Sequence, residues 1–235
     1  MIGRRLGLPV VALGFLLPVL AGCTPPPASS AGGTGATSTS VETTSQRLLT
    51  EAQNFAFRVR NVNCEATGSS FASRDGIITN RHVASGDHTL ELSTWAGTDF
   101  NASLQSVSES PGPDLAILNG APQGSLATFA SSDVPAGTPV WVAGYPEGDA
   151  LSIAGGIVLD YISGSVYGAP GQIMELTNTV EPGNSGSPLL DSQGQVVGVV
   201  FALNPITGNG LAIPVSTLAQ YLDSPGSTTT GGCIG

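Results

Sequence analysis

A serine lies between two glycines in the stretch Gly183-Asn184-Ser185-Gly186. A serine hydroxyl attacks a carbonyl only when a base removes its proton and hydrogen-bond donors stabilise the oxyanion that forms. Gly183 fits the second need, because glycine admits the backbone dihedrals that turn successive N–H groups toward one point. Gly186 allows a substrate or a neighbouring strand to come close. Taken alone, the same residues equally describe a glycine-rich hairpin turn.

The chain holds two histidines that could supply the base. His88 follows a polar turn in SGDHTL and reads as solvated. His82, in GIITNRHVAS, comes directly after an apolar run, where its ring would have a fixed position; a buried histidine satisfied by backbone bonds is the bland alternative. An imidazole acting as base needs a carboxylate to hold its tautomer and stabilise its charged form. Asp114 sits just ahead of the apolar run Leu115 to Leu118, although an aspartate after Pro113 could simply close a turn. Each signal is moderate; together, in the order His82, Asp114, Ser185, they describe a nucleophile, a base and an orienting acid.

The elements that must position these groups read as strands. Gly 32 and Pro 17 in 235 residues imply many turns, and short apolar runs alternate with turn signals throughout. GSSFAS and GIITN flank a hairpin turn, and HTLELST, FNASLQSVS and LAILNG follow. A second series runs through VWVAGY, LSIAGGIVLDYI, QIMELTN, SPLLD, QVVGVVFAL and GLAIP. Two series of about six strands predict an all-β fold of two six-stranded antiparallel β-barrels, barrel one at about 53–125 and barrel two at about 135–214. Apolar Val215, Leu218, Ala219 and Leu222 share a helical period, which predicts one closing helix over 215–223. A short helical turn is expected ahead of the first strand at roughly Phe55 to Asn61.

The formal net charge is −10 and lysine is absent, so a basic face for phosphates is missing and nucleic acid is not an expected partner. Arg4 and Arg5 precede an apolar run from Leu6 to Gly22, too short and proline-broken for a spanning helix but well sized for an export signal over 1–22. Its end, Leu20 to Cys23, resembles the bacterial lipobox, which implies acylation of Cys23 and attachment to a membrane. Thr24 to about Ser45 is low in complexity, a tether spanning 23–45 with the anchor, ahead of a folded domain over 46–235. Three cysteines are present; with Cys23 lipidated, Cys64 and Cys233 remain as a pair in an oxidising compartment. No metal-ligand cluster or phosphate loop is found, so no cofactor and no metal is expected.

With these residues in hand, the sequence resembles the chymotrypsin-like serine proteases, specifically the bacterial HtrA-like branch. GSSFASRDGIITNRHV, DLAIL, GNSGSPLLDSQGQVVGV and GLAIP carry the likeness, which extends over about Gln53 to Asp223. The order His–Asp–Ser is the chymotrypsin order. The resemblance implies a chymotrypsin-like fold with His82 as base, Asp114 as its orienting acid, Ser185 as nucleophile, and the N–H groups of Gly183 and Ser185 as oxyanion donors. It also implies peptide or protein substrates. The floor of the primary specificity pocket would be Thr179, with walls around Val200, Phe201, Ala202 and Leu203. A neutral Thr179 favours a small or medium apolar side chain over lysine or arginine. Exported mycobacterial proteases of the acid-resistance type pair similarly placed cysteines, which implies a Cys64–Cys233 disulfide. Ser187 stands where the family usually has a second glycine, a small change that should preserve the strand, and Asn184 stands where digestive relatives carry the aspartate that binds a freshly cut N-terminus, so activation of that kind is not expected. Little chain follows the closing helix for the PDZ domain common in that branch. A catalytically silent binding protein on the same scaffold is the alternative, and the oligomeric state is not legible.

Overall fold

Twelve strands and three helices build the described part of the chain, which in this computed structural model comprises residues 42–121, 124–229 and 231–234. The expected export signal, Cys23 and most of the expected tether lie outside these residues. In chain order the elements are α1 (Thr44–Ala52), β1 (Ala56–Asn61), β2 (Ala66–Ser73), β3 (Gly76–Thr79), α2 (Arg81–Ala84), β4 (Thr89–Thr94), β5 (Asp99–Val107) and β6 (Ala116–Asn119). They continue as β7 (Pro139–Gly144), β8 (Ser152–Ser163), β9 (Gln172–Leu176), β10 (Pro188–Leu190), β11 (Val196–Leu203), β12 (Gly210–Pro214) and α3 (Val215–Asp223).

The strands close two antiparallel six-stranded barrels, ordered β1-β2-β3-β6-β5-β4 and β10-β11-β12-β9-β8-β7. Closure leaves no unpaired strand edge within either sheet. Side-chain alternation does the sorting. In β4, for example, Leu90 and Leu92 face inward while Thr89 and Glu91 face water. Phe57, Phe71, Ile78, Leu92 and Leu118 fill the first barrel, and Val140, Val142, Met174, Leu176 and Leu189 fill the second. Burial of each such side chain stabilises the fold by about 1.5–3 kcal/mol. Tyr145, Val199, Phe201 and Ile213, all from the second half, belong to the same packed cluster as Phe57 and Phe71. That shared cluster makes the seam between the barrels.

Two local expectations need correction. The first helix begins at Thr44, inside the stretch read as tether, because Thr43 and Gln46 form a reciprocal capping box and Leu48 and Ala52 are buried. In α3 the buried face is Val215, Leu218 and Tyr221, whereas Ala219 is exposed. The Tyr221 hydroxyl lies 3.0 Å from the Ser106 hydroxyl, and burying that ring turns the helix away from Ala219. Beyond α3 the tail bridges to β5 at Ser227 opposite Val107 and ends in a Cys64–Cys233 disulfide, Cα–Cα 5.6 Å. Gly86 fits beneath it, since a Cβ there would stand 2.4 Å from the Cys64 sulfur.

Candidate active site

His82 is the second residue of α2, a single turn directly after β3. A four-residue helix has no stability of its own, so its neighbours must hold it. Asn80, at its extended N-cap, donates from Nδ2 to the backbone oxygen of Asp114 at 2.7 Å. Asn61, fully buried at the end of β1, donates from Nδ2 to the carbonyls of Val83 (2.9 Å) and Ser85 (2.7 Å) at the other end. The turn is thus pinned at both termini by buried amides.

Asp114 precedes β6 and is 8% exposed. Its Oδ1 accepts the backbone N–H of His82 at 2.9 Å, and its Oδ2 lies 2.5 Å from His82 Nδ1. Two contacts from one carboxylate fix the ring plane, keep a proton on Nδ1 and leave Nε2 as acceptor. Arg81 Nε is 4.0 Å from Asp114 Oδ1, while its Nη1 donates to the Glu109 carbonyl at 3.0 Å. His88 is exposed at the end of the loop into β4.

Ser185 lies in the loop between β9 and β10. Gly183 and Gly186 have φ of 90° and 89°, the left-handed region that disfavours any side chain. A Cβ at Gly183 would stand 2.3 Å from the Tyr145 carbonyl oxygen, and one at Gly186 2.0 Å from the Ser69 carbonyl oxygen. Among the described residues no acceptor takes the N–H of Gly183 or of Ser185. The N–H groups on either side are engaged: Asn184 donates to Glu181 at 3.0 Å, and Gly186 to Val200 at 2.8 Å.

Ser69, on β2, ties this loop to the first barrel. Its N–H donates to the Ser185 carbonyl at 2.7 Å and its hydroxyl donates to the Gly183 carbonyl at 2.8 Å. The same hydroxyl accepts the Tyr145 N–H at 3.0 Å, and the Ser69 carbonyl accepts from the Thr79 hydroxyl at 2.8 Å. A Cβ at Gly68 would lie 2.8 Å from the Val83 methyls and 3.0 Å from the Ser185 carbonyl. Gly186 therefore packs against Thr79, and Gly68 stands close to both Val83 and the Ser185 carbonyl, which brings the Ser185 segment to the β3–α2 corner that carries His82. Within the described residues the Ser185 hydroxyl makes no hydrogen bond to the His82 ring; such bonds often tighten only when substrate is bound.

The residues around the expected specificity pocket divide. Thr179 is exposed and Ala202 half-buried. Val200 is wholly buried in the core of the second barrel and Phe201 is 5% exposed in the seam, so neither side chain stands as an open wall. Val200 still pairs with Ala212, and the β11–β12 register then shifts before Ala202 pairs with Leu211, while Phe201 packs in the same cluster as Val199 two positions before it. Asn61, Ser69 and Tyr145 were not singled out by the sequence reading. Tyr145 donates its hydroxyl to the Ala56 carbonyl at 3.1 Å, and burial pushes its pKa up to about 12 against the opposing charge of Arg58. No cluster of three His, Cys, Asp or Glu side chains fit for a metal occurs among the described residues.

Paired six-stranded barrels followed by a short helix are the architecture of the chymotrypsin-like fold, and the serine loop and the His82–Asp114 pair sit at its seam. Residues 66–199, more than half of the chain, match the trypsin-like peptidase domain, and the chain belongs to that family. It is similar to the serine protease Rv3671c of Mycobacterium tuberculosis, 34% identical over 182 residues that cover 71% of this chain and 45% of that protein. It is also similar to the serine protease Do-like HtrA of Bacillus subtilis, 33% identical, covering 68% and 39%. The crystal structure of the active form of Rv3671c from M. tuberculosis superposes with a TM-score of 0.69 at 26% identity, covering 80% of this chain and 89% of that one. The chain spans less than half the length of these curated relatives.

Proposed function

We propose that this protein is an envelope-anchored serine endopeptidase that cleaves peptide bonds through an acyl-enzyme. His82 takes the proton of Ser185 as the hydroxyl attacks a peptide carbonyl, and Asp114 orients the ring and stabilises the imidazolium. The N–H groups of Gly183 and Ser185 receive the oxyanion. His82 then returns the proton to the leaving amine, and water attacks the acyl-enzyme with His82 again as base. The observation that carries this reading is the pair of contacts from the Asp114 carboxylate to His82, at 2.5 and 2.9 Å. They leave Nε2 free at the seam where the Ser185 backbone packs. Family membership supports the same chemistry.

Substrates are proposed to be peptides or unfolded segments of proteins, with a small or medium apolar residue above Thr179. Labelling by a fluorophosphonate probe tests the enzyme reading. The intact protein takes up label, and Ser185→Ala, His82→Ala and Asp114→Asn lose it, with turnover falling ~10⁴-fold or more. An unlabelled wild type that still binds a protein partner would instead support the catalytically silent reading.

Anchoring is proposed to occur through a lipid on Cys23 after removal of residues 1–22. Metabolic labelling with a fatty-acid analogue tests it, with Cys23→Ser expected to lose the label and the membrane association together.

A further inference from the structure

Arg58 and Ser69 are cross-strand neighbours on β1 and β2, and both side chains reach the second half of the chain. Between them they grip the two ends of the turn that follows β7. The Ser69 hydroxyl accepts the Tyr145 N–H at 3.0 Å, and Arg58 Nη1 donates to the Gly148 carbonyl at 3.0 Å. The guanidinium is itself aimed. Its Nη2 donates to the Ser93 hydroxyl on β4 at 3.1 Å, and that hydroxyl donates to Asp99 Oδ1 at 2.5 Å. A planar fork with donors in fixed directions serves both partners at once.

The turn needs such a grip. Glu147 has φ 54°, a left-handed backbone that L side chains rarely adopt, and its side chain is exposed. Outliers of this kind persist only where the surroundings impose them. What the shape delivers is one bond: the Glu147 N–H donates to the Pro182 carbonyl at 2.6 Å. The Pro182–Gly183 peptide is trans, so its C=O and N–H point in opposite directions. Holding the carbonyl against the turn therefore points the Gly183 N–H away from it, and among the described residues no acceptor takes that N–H. The fit is close, since a Cβ on Gly183 would stand 2.9 Å from the Gly148 nitrogen and 3.0 Å from the Glu147 nitrogen.

We propose that Arg58 is a positioning residue for the oxyanion donors. By holding the Gly148 carbonyl it keeps the 145–148 turn in the shape whose Glu147 N–H fixes the Pro182–Gly183 peptide, and so aims the Gly183 N–H. The inference rests on the protease reading above. Arg58 acts through backbone groups and not on a reacting atom, so its loss lowers kcat and spares substrate binding. It lines surface cavities of about 330 and 520 Å³, so truncating it takes no side chain out of the core.

The test compares wild type with Arg58→Met, Arg58→Lys, Glu147→Gly and the Arg58→Met, Glu147→Gly double variant. Each is measured for fluorophosphonate labelling rate and for kcat and KM on a peptide ester and on its thionoester. Sulfur is a weak acceptor, so the preference for ester over thionoester reads the oxyanion donors themselves. Arg58→Met is expected to lose about 30-fold in kcat with KM within about twofold, where outright loss of a donor costs ~10²–10³. Its labelling rate falls in step, and its ester preference falls about tenfold. Arg58→Lys, which serves one of the two partners at a time, loses about threefold in kcat. Glu147→Gly alone stays near wild type, but in the Arg58→Met background it recovers about threefold or more, because glycine holds φ 54° without strain. Wild-type kcat in Arg58→Met, a rise in KM alone, or a loss of kcat with the ester preference intact overturns the positioning role. No recovery in the double variant overturns the turn as its route. Should Arg58→Met fail to fold, Arg58→Lys decides, and an unchanged kcat there overturns the role. A wild type that the probe never labels instead overturns the protease reading, and the role with it.

Discussion

The Ser69 hydroxyl donates to the Gly183 carbonyl across the seam between the barrels, at 2.8 Å and 114 residues of sequence separation. It accepts the Tyr145 N–H at the same time, so one buried hydroxyl joins three segments around the proposed oxyanion donors. Ser69→Ala keeps the β2 backbone and its bond to the Ser185 carbonyl but orphans two buried groups. Removing a partner from a buried polar group costs about 1–3 kcal/mol. The variant is expected to lose about 2–3 kcal/mol in chemical denaturation and ~10- to 100-fold in kcat/KM, with the kinetic loss mostly in kcat. A Ser69→Ala enzyme with wild-type kcat would show that the hydroxyl only stabilises the seam.

Gly183→Ala tests the oxyanion assignment. At φ 90° a Cβ would meet the Tyr145 carbonyl at 2.3 Å, so the loop must shift and carry the Gly183 N–H with it. Loss of one oxyanion donor costs ~10²–10³ in kcat. Steady-state turnover should fall at least that far, while peptide binding to a Ser185→Ala, Gly183→Ala double variant changes little from Ser185→Ala.

Asn61 is expected to matter through α2 and through the Cys64 N–H, which its Oδ1 accepts at 3.1 Å. Asn61→Ala leaves the Val83 and Ser85 carbonyls without their buried donor. The expected cost is about 1–3 kcal/mol, which lowers Tm by roughly 2–4 °C per kcal/mol for a domain of this size. Scanning calorimetry reads the first effect, and a drop in kcat reads the loosened His82 turn.

The Cys64–Cys233 disulfide closes a loop with a sequence separation of 169. Chain-entropy reasoning sets its contribution at up to about 5 kcal/mol, with strain and residual unfolded structure reducing it. Reduction, or a Cys64→Ser, Cys233→Ser double variant, should lower the denaturation midpoint without changing the far-ultraviolet dichroism, since both barrels close without the tail. Loss of β signal would mean that the tail is needed for folding.

Alkaline stability follows from Tyr145. Its folded pKa, raised from 10.0 to about 12 by burial, favours the neutral phenol in the folded state. The stabilisation it provides is complete below pH 10 and is lost as pH rises through about 12. Unfolding free energy should therefore fall across that window, and Tyr145→Phe should flatten part of the fall while losing the bond to Ala56.

Much of this protein was written in local pattern. Period-two alternation and turn residues mark twelve strands in two series, and the isolated serine, histidine and aspartate stood out because each sits at the edge of an apolar run. Those signals are local, since backbone alternation and turn chemistry depend on near neighbours. What tertiary structure decided has no local mark. Ser69 and Asn61 look like ordinary strand residues until a carbonyl more than twenty positions away needs a donor. Val200 and Phe201 are buried in separate clusters, and which cluster each joins depends on contacts with strands far away in the chain. Ala219 fits the helical period but is exposed, whereas Tyr221 is buried with Val215 and Leu218, its hydroxyl 3.0 Å from that of Ser106. Sequence named the proposed reacting groups; only the closure of two barrels on each other could fix which neighbours hold them, because those neighbours are set by packing between distant segments.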